Sequence, residues 1–82
     1  LSSYPNPFNP EVMISFTIPE ISLVSVNIFD IRGRELETLA SQNYQSGYYS
    51  VNWNASANAS GVYFITLITS DTKLTQKILL LK

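Results

Sequence analysis

Apolar and polar residues alternate in short blocks along most of this chain, and few segments show the three-to-four-residue spacing of an amphipathic helix. The block 12–18 has one apolar face, which consists of Val12, Ile14, Phe16 and Ile18. The block 23–29 repeats this pattern with Val24, Val26 and Ile28. Because successive side chains of a strand point to opposite faces, each block predicts a strand with one buried face.

The middle of the chain alternates less clearly. Residues 34–39 predict a strand with Leu36 as a core candidate, although a helical turn is the alternative for this stretch. Residues 40–46 predict a polar loop that ends at Gly47. A half-buried strand is predicted next, with three residues on its inner face: Tyr49, Val51 and Trp53.

The last part of the chain predicts a hairpin. Segment 62–69 is apolar on both faces, as in a central strand, residues 70–73 suit a turn, and 74–81 predict a final strand. Strands with turn signals every ~8–12 residues are typical of immunoglobulin-like sandwiches. We therefore expect an all-β fold, a small antiparallel β-sandwich of about six or seven strands. Residues 1–82 form one domain with an entry segment, residues 1–11, rich in Pro and Asn.

Composition excludes several classes of function. The chain of 82 residues has no Cys and no His, which removes disulfides, thiolate and imidazole chemistry and most transition-metal sites. A net charge of -1 with only five basic residues gives no footprint for nucleic acid. No apolar run approaches the ~20 residues of a transmembrane helix. We expect a non-catalytic, extracytoplasmic domain without cofactor or metal, cut from a longer polypeptide because it starts at Leu1.

The entry segment contains the most distinctive motif of the chain. Its three prolines impose an extended path and withhold backbone donors. Seven residues form the motif: Tyr4, Pro5, Asn6, Pro7, Phe8, Asn9 and Pro10. We expect the two aromatic rings on the rim of the sandwich and the two asparagines capping free backbone groups. The alternative is a docking peptide for a partner that recognises proline.

Acidic residues are candidates for chemistry, but each has a structural interpretation. Glu35 and Glu37 would share one face of a strand and could form an acid/base pair, although a solvated face is expected. Asp30 and Asp71 lie in predicted turns, where bonding to nearby backbone groups accounts for them. A weak Ca²⁺ site is the alternative for these two aspartates.

An aromatic cluster offers a possible sugar-stacking surface: Tyr44, Tyr48, Tyr49 and Trp53. Alternation places Tyr49 and Trp53 in the core, which leaves Tyr48 as the outward candidate. Asn54 and Asn58 each begin a glycosylation triplet, which also arises by chance in a loop rich in Asn and Ser. The final block, residues 77–82, suits an edge strand flanked by lysines, or is itself the element that a partner recognises.

Four motifs in order resemble those of the C-terminal sorting domain of type IX secretion substrates. They are the motif 4–10, the segment 28–35, the segment 60–64 and the final block 77–82. The resemblance spans nearly the whole chain. It implies an immunoglobulin-like tail that directs a larger cargo protein through the outer membrane, from the periplasm to the cell surface or the medium.

The same resemblance implies partners and site residues. The partners are the type IX translocon, a sortase-like surface peptidase and the N-terminal cargo of the same polypeptide, and self-association is a further alternative. The peptidase removes the tail near or before Leu1 or exchanges it for a surface anchor, an anionic lipopolysaccharide. The implied recognition residues are Gly61, Tyr63, Lys77, Ile78, Leu79, Leu80, Leu81 and Lys82. We expect Gly61 to allow a tight turn of the backbone at which a Cβ would clash. We also expect the final strand to add to a partner's sheet through its unpaired backbone groups.

Two other functions stay open at the level of sequence. The opening motif is similar to that of the immunoglobulin-like domain of flagellar hook-capping proteins, which makes a structural assembly module the alternative. Carbohydrate binding is the third candidate function. The lysine-flanked final block favours sorting over hook capping.

Overall fold

The computed structural model of the chain describes residues 1–82. It contains seven strands: β1 (Ser2–Tyr4), β2 (Glu11–Ile18), β3 (Ser22–Asp30), β4 (Glu35–Tyr44), β5 (Gly47–Asn54), β6 (Gly61–Ile68) and β7 (Lys73–Leu80). There is no helix with the length and hydrophobicity that crossing a membrane would require.

The strands form two antiparallel sheets, a three-stranded sheet in the order β1-β2-β5 and a four-stranded sheet in the order β4-β3-β6-β7. Their apolar faces pack against each other, which is the arrangement of a β-sandwich. The predicted all-β, immunoglobulin-like fold is therefore confirmed. β3 and β6 are the two central strands of the larger sheet, in agreement with the apolar content of segment 62–69 on both faces.

Alternation placed the core correctly in the regular strands. The four inward side chains of β2 are at most 1% exposed, and those predicted for β3 are fully buried. Trp53 of β5 is the largest buried side chain, at 1% exposure. Tyr49 and Val51, on the same face, are partly buried and pack against the core. Each sheet thus contributes one apolar layer to a single core.

β4 departs from the prediction in two ways. It continues to Tyr44, so the loop predicted over residues 40–46 is wrong except at its last residues. Leu36 is 38% exposed and outside the core. The reason is that the register with β3 shifts twice. Leu36 and Leu39 are each inserted between two paired residues and have no residue of β3 opposite them. Two bulges change which residues face inward, and period-two alternation cannot reveal them.

Asn27 of β3 is buried on the outer face of the larger sheet, the face directed away from the core. Its side-chain amide donates to Glu35 Oε1 at 3.1 Å and to Thr38 Oγ1 at 3.0 Å, and its oxygen accepts from Ser25 Oγ at 2.5 Å. These bonds satisfy the buried amide, whose exposure is only 6%. They also tie β3 to the bulged edge strand β4.

Asp30 ends β3 and organises the turn into β4, as the sequence predicts. Its carboxylate accepts the backbone N–H groups of Arg32 and Arg34, each at 2.9 Å, and pairs with the guanidinium of Arg34 at 2.8 Å. Gly33, with a φ of +83°, supplies the left-handed position of this turn. The backbone hydrogen bond from Arg34, reinforced by its side chain and by the Arg32 N–H, lowers the pKa of Asp30 below its ordinary value.

We expect Asp30→Asn to be less stable than the wild type at neutral pH, with a difference that narrows in acid. A carboxyl group with a lowered folded pKa contributes stability fully above its unfolded value of ~3.9 and loses that contribution as pH falls through the lower folded value. Urea unfolding between about pH 7 and about pH 2 measures the difference. Asp71→Asn, in the other hairpin turn, is the control, and an unchanged difference in acid would contradict this role.

Candidate functional site

The entry segment crosses one end of the sandwich and pairs with the last strand. The backbone N–H of Phe8 donates to the carbonyl of Leu79 at 3.0 Å, and the N–H of Leu81 donates to the carbonyl of Phe8 at 3.0 Å. These two bonds accompany a parallel bridge between Phe8 and Leu80. We call the contacts between residues 6–8 and 77–81 the terminal junction.

Asn6 completes the terminal junction with its side chain. Its Oδ1 accepts the N–H of Leu79 at 3.0 Å, and its Nδ2 donates to the carbonyl of Lys77 at 3.3 Å. The predicted capping role is confirmed for Asn6 and wrong for Asn9, whose side chain makes no hydrogen bond. Because the outer backbone groups of residues 77–81 are occupied, the expectation that this stretch presents unpaired groups for strand addition is also wrong.

Phe8 lies in the core, which corrects its predicted place on the rim. It is 2% exposed, and its ring packs on Trp53 with ring centroids 5.8 Å apart. The predicted extended path of this motif is wrong, because the chain bends at residues 5–7 and 9–10. Its three X-Pro bonds are cis. The bent chain places this ring between the sheets. Tyr4, by contrast, is 80% exposed. The two aromatic residues of one motif therefore have opposite environments, and only the distant β7 and Trp53 determine which is buried.

Tyr63 of β6 is buried and also packs on Trp53. The two ring centroids are 5.4 Å apart, and the hydroxyl of Tyr63 donates to the carbonyl of Ala59 at 2.5 Å. Phe8, Trp53 and Tyr63 thus form one aromatic stack that joins the entry segment to the start of β6. Such edge and tilted contacts stabilise buried rings beyond their burial alone.

Gly61 begins β6 with a φ of +151°. A Cβ added there would meet no atom within 4 Å, so the expected steric clash is wrong. The glycine is required instead by its backbone conformation, which residues with a side chain rarely adopt. Gly61 lies opposite Leu80 in the β6–β7 register, which places it beside the terminal junction.

The final block 77–82 divides into buried and accessible side chains. Ile78 and Leu80 face the core with exposures of 1% and 0%. Lys77 is exposed, Leu79 is partly buried, and Leu81 is 51% exposed. Lys82 is held by the β5–β6 loop, because its N–H donates to Ser60 Oγ at 3.0 Å and its ammonium donates to the carbonyl of Ser56 at 2.6 Å.

The other candidates are arranged for structure. Glu35 and Glu37 are separated by the bulge at Leu36, and Glu35 accepts a hydrogen bond from Asn27. No group of three or more acidic side chains lies close enough to hold a metal ion. Trp53 is buried and unavailable to a sugar, whereas Tyr48 is 81% exposed as predicted.

The structure therefore brings the predicted site residues together at one end of the sandwich. The entry motif, Gly61, Tyr63 and the final block all belong to the terminal junction or contact it. Sequence reasoning missed the pairing of Asn6 with β7, for which the only local signal is an asparagine between two prolines. Trp53, assigned to the core alone, is the residue on which both Phe8 and Tyr63 pack.

Comparison with known families supplies the identification. No curated protein and no solved structure matches the chain. Residues 2–81 match the family model described as the secretion system C-terminal sorting domain, which confirms the resemblance and covers nearly the whole chain. Members of this family are sorting signals of type IX secretion, are in general non-catalytic, and accompany proteins exported to the cell surface or the medium. The chain belongs to the secretion system C-terminal sorting domain family, and its function is that of a type IX sorting signal.

Proposed function

We propose that the translocon recognises this domain in its folded form, at the end of the sandwich that contains the terminal junction. The observation that carries the proposal is the occupation of the outer backbone groups of residues 77–81 by Asn6 and Phe8. A partner that approaches residues 77–81 from their outer edge therefore meets side chains and the entry segment instead of free backbone groups. Recognition of a folded surface also accounts for the match of the family over the whole sandwich.

The site residues then have two kinds of role. Lys77, Leu79, Leu81 and Lys82 offer atoms to a partner. Gly61, Tyr63, Ile78 and Leu80 hold that surface in place through backbone conformation and burial, and the entry motif fixes the final strand. No catalytic group is needed for this function, and the domain is a passive ligand of the machinery.

The proposal extends to the route and fate of the protein. The cargo precedes the domain in the same polypeptide, passes through the periplasm and crosses the outer membrane by the type IX translocon. A sortase-like surface peptidase removes the domain upstream of β1. Support for that position is the pairing of β1 with β2 and the packing of Leu1 against the core, which make residues 1–4 part of the folded domain.

Export of a periplasmic reporter fused ahead of residues 1–82 tests the proposal. We expect the reporter outside the cell in a type IX-competent host and inside the periplasm in the same host without the translocon. Lys77→Glu and Leu81→Ser should each reduce export by roughly tenfold, the effect of losing ~1.4 kcal/mol of binding free energy. Both side chains are accessible, so the fold should survive both changes.

The controls lie at the opposite end of the sandwich, in the β2–β3 and β6–β7 connections. Glu20→Ala and Asp71→Ala alter exposed side chains far from the terminal junction and should be exported normally. Retention of a folded, intact fusion in both hosts would refute the sorting role for this chain. Normal export of Lys77→Glu and Leu81→Ser would instead refute the proposed recognition surface.

A further inference from the structure

The outer face of the four-stranded sheet carries an apolar patch near the terminal junction. Phe29 of β3 lies opposite Phe64 of β6, and Val62 of β6 lies opposite Leu79 of β7. These four side chains are partly buried on a face directed away from the core. Ile31, in the turn after β3, adds a side chain that is 72% exposed. We call these five residues the outer patch.

The outer patch is confined to one end of the sheet. The next row along the outer face is polar: Thr38, Asn27, Thr66 and Thr75. Phe29, Ile31 and Phe64 line a shallow depression of about 280 Å³, and Thr75 and Lys73 form part of its wall. Three residues of the patch therefore line a shallow depression whose border is polar and charged, and Asp30 and Thr66 belong to that border. Apolar side chains with a polar border are an arrangement found at protein interaction sites.

Charged side chains border this patch, and most of them are basic. Four of the five basic residues of the chain lie on the outer face or in the β3–β4 turn beside it: Arg32, Arg34, Lys73 and Lys77. Lys77 lies directly opposite Phe64, and Lys73 lines the depression. Arg34 is the one member in a salt bridge, with Asp30. Three cations without a salt-bridge partner thus lie near the apolar side chains. Two carboxylates lie there as well, because Glu35 is opposite Phe29 and Asp30 lines the depression.

We propose that the outer patch is a second contact surface for the type IX translocon, one that accepts an apolar side chain between Ile31 and Phe64 and carboxylates beside Lys73 and Lys77. This inference rests on the proposed function, since Leu79 and Lys77 belong to both surfaces. A protein that covers the final block from outside the sheet also covers the patch. Aromatic side chains in a concave centre supply most of the affinity in such interfaces, and charges at the rim set orientation and association rate.

A matched pair of substitutions tests the patch. Ile31 and Ile21 are 72% and 69% exposed, and both lie in connections between strands, but Ile21 is at the opposite end of the sandwich. Ile31→Asp in the reporter fusion should lower the rate of export about tenfold, equivalent to ~1.4 kcal/mol of binding free energy. Ile21→Asp should leave the rate unchanged. Protease resistance of both fusions checks that the domain is folded, and Ile31→Thr replaces Ile31→Asp if the latter is degraded.

Charge reversal provides the second measurement. Lys73→Glu should reduce export more than Lys73→Gln does, because reversal repels the proposed carboxylates whereas neutralisation only removes an attraction. Wild-type fusion retained in the periplasm would refute the sorting role itself. Wild-type export together with equal rates for Ile31→Asp and Ile21→Asp would overturn the outer patch and leave the sorting role intact. Equal rates for Lys73→Glu and Lys73→Gln would overturn the acidic character of the partner.

Discussion

Phe8→Ala is expected to lower the free energy of unfolding by about 3–5 kcal/mol, although Phe8 lies in a proline-rich segment outside the seven strands. The ring is 2% exposed and packs on Trp53, so its removal leaves a cavity between the sheets. Small domains have total stabilities of ~5–15 kcal/mol, and this loss would leave a large unfolded fraction at 37 °C.

Urea unfolding of residues 1–82 measures the effect, and Tyr4→Ala is the matched control. Tyr4 belongs to the same motif but is 80% exposed, so its truncation should change stability by no more than about 0.5 kcal/mol. Hydrogen exchange supplies a local measurement, because the amides of Leu79 and Leu81 bond to residues 6–8 and should exchange faster in Phe8→Ala. Equal stability losses for the two variants would contradict the burial of Phe8.

Trp53→Ala is expected to cost a similar amount, again about 3–5 kcal/mol. Trp53 contacts both Phe8 and Tyr63 in the aromatic stack. Each single variant already removes the contact between Phe8 and Trp53, so the double variant should lose less free energy of unfolding than the sum of the two single variants. Thermal and urea unfolding of the four proteins in this cycle measure the coupling.

Tyr48→Ala is the control for Trp53→Ala, since it lies in the same strand but is 81% exposed. Its stability should stay within about 0.5 kcal/mol of the wild type. A small decrease in the free energy of unfolding for Trp53→Ala would show that the indole is outside the core. Trp53 would then again be a candidate for stacking on a sugar.

Sequence patterns predicted the regular strands because those strands obey one local rule. In β2, every second residue is apolar and faces the opposite sheet, so inspection of eight residues is sufficient. β4 violates the rule, because its two bulges depend on the register with β3 and leave no trace in the alternation of β4 itself. Asn27 shows the same dependence, since its outward direction was predictable but its burial results from Glu35 and Thr38 on the bulged strand.

The candidate site was predictable as a set of motifs and unpredictable as a surface. The prolines predicted an extended path for residues 4–10, whereas the chain bends at residues 5–7 and 9–10. Which aromatic ring is buried depends on β7, some 70 residues later. The final block predicted a strand, but its four consecutive apolar residues do not alternate, so the burial of Ile78 and Leu80 depends on the register with β6. The occupation of its outer edge was also unpredictable, because Asn6 has no sequence property that distinguishes a backbone cap from an exposed polar residue.

The terminal junction also imposes an order of events on any chain that carries this domain. Asn6 is hydrogen-bonded to partners 71 and 73 positions later, so these contacts are among the most non-local that a domain of 82 residues can form. Such contacts form only when both participants are present, and they tend to slow folding. A polypeptide truncated before Ile78 lacks the strand that covers Phe8 and cannot complete the fold. If recognition requires the folded end of the sandwich, the domain works as a check of completeness, and unfinished cargo is never presented for export.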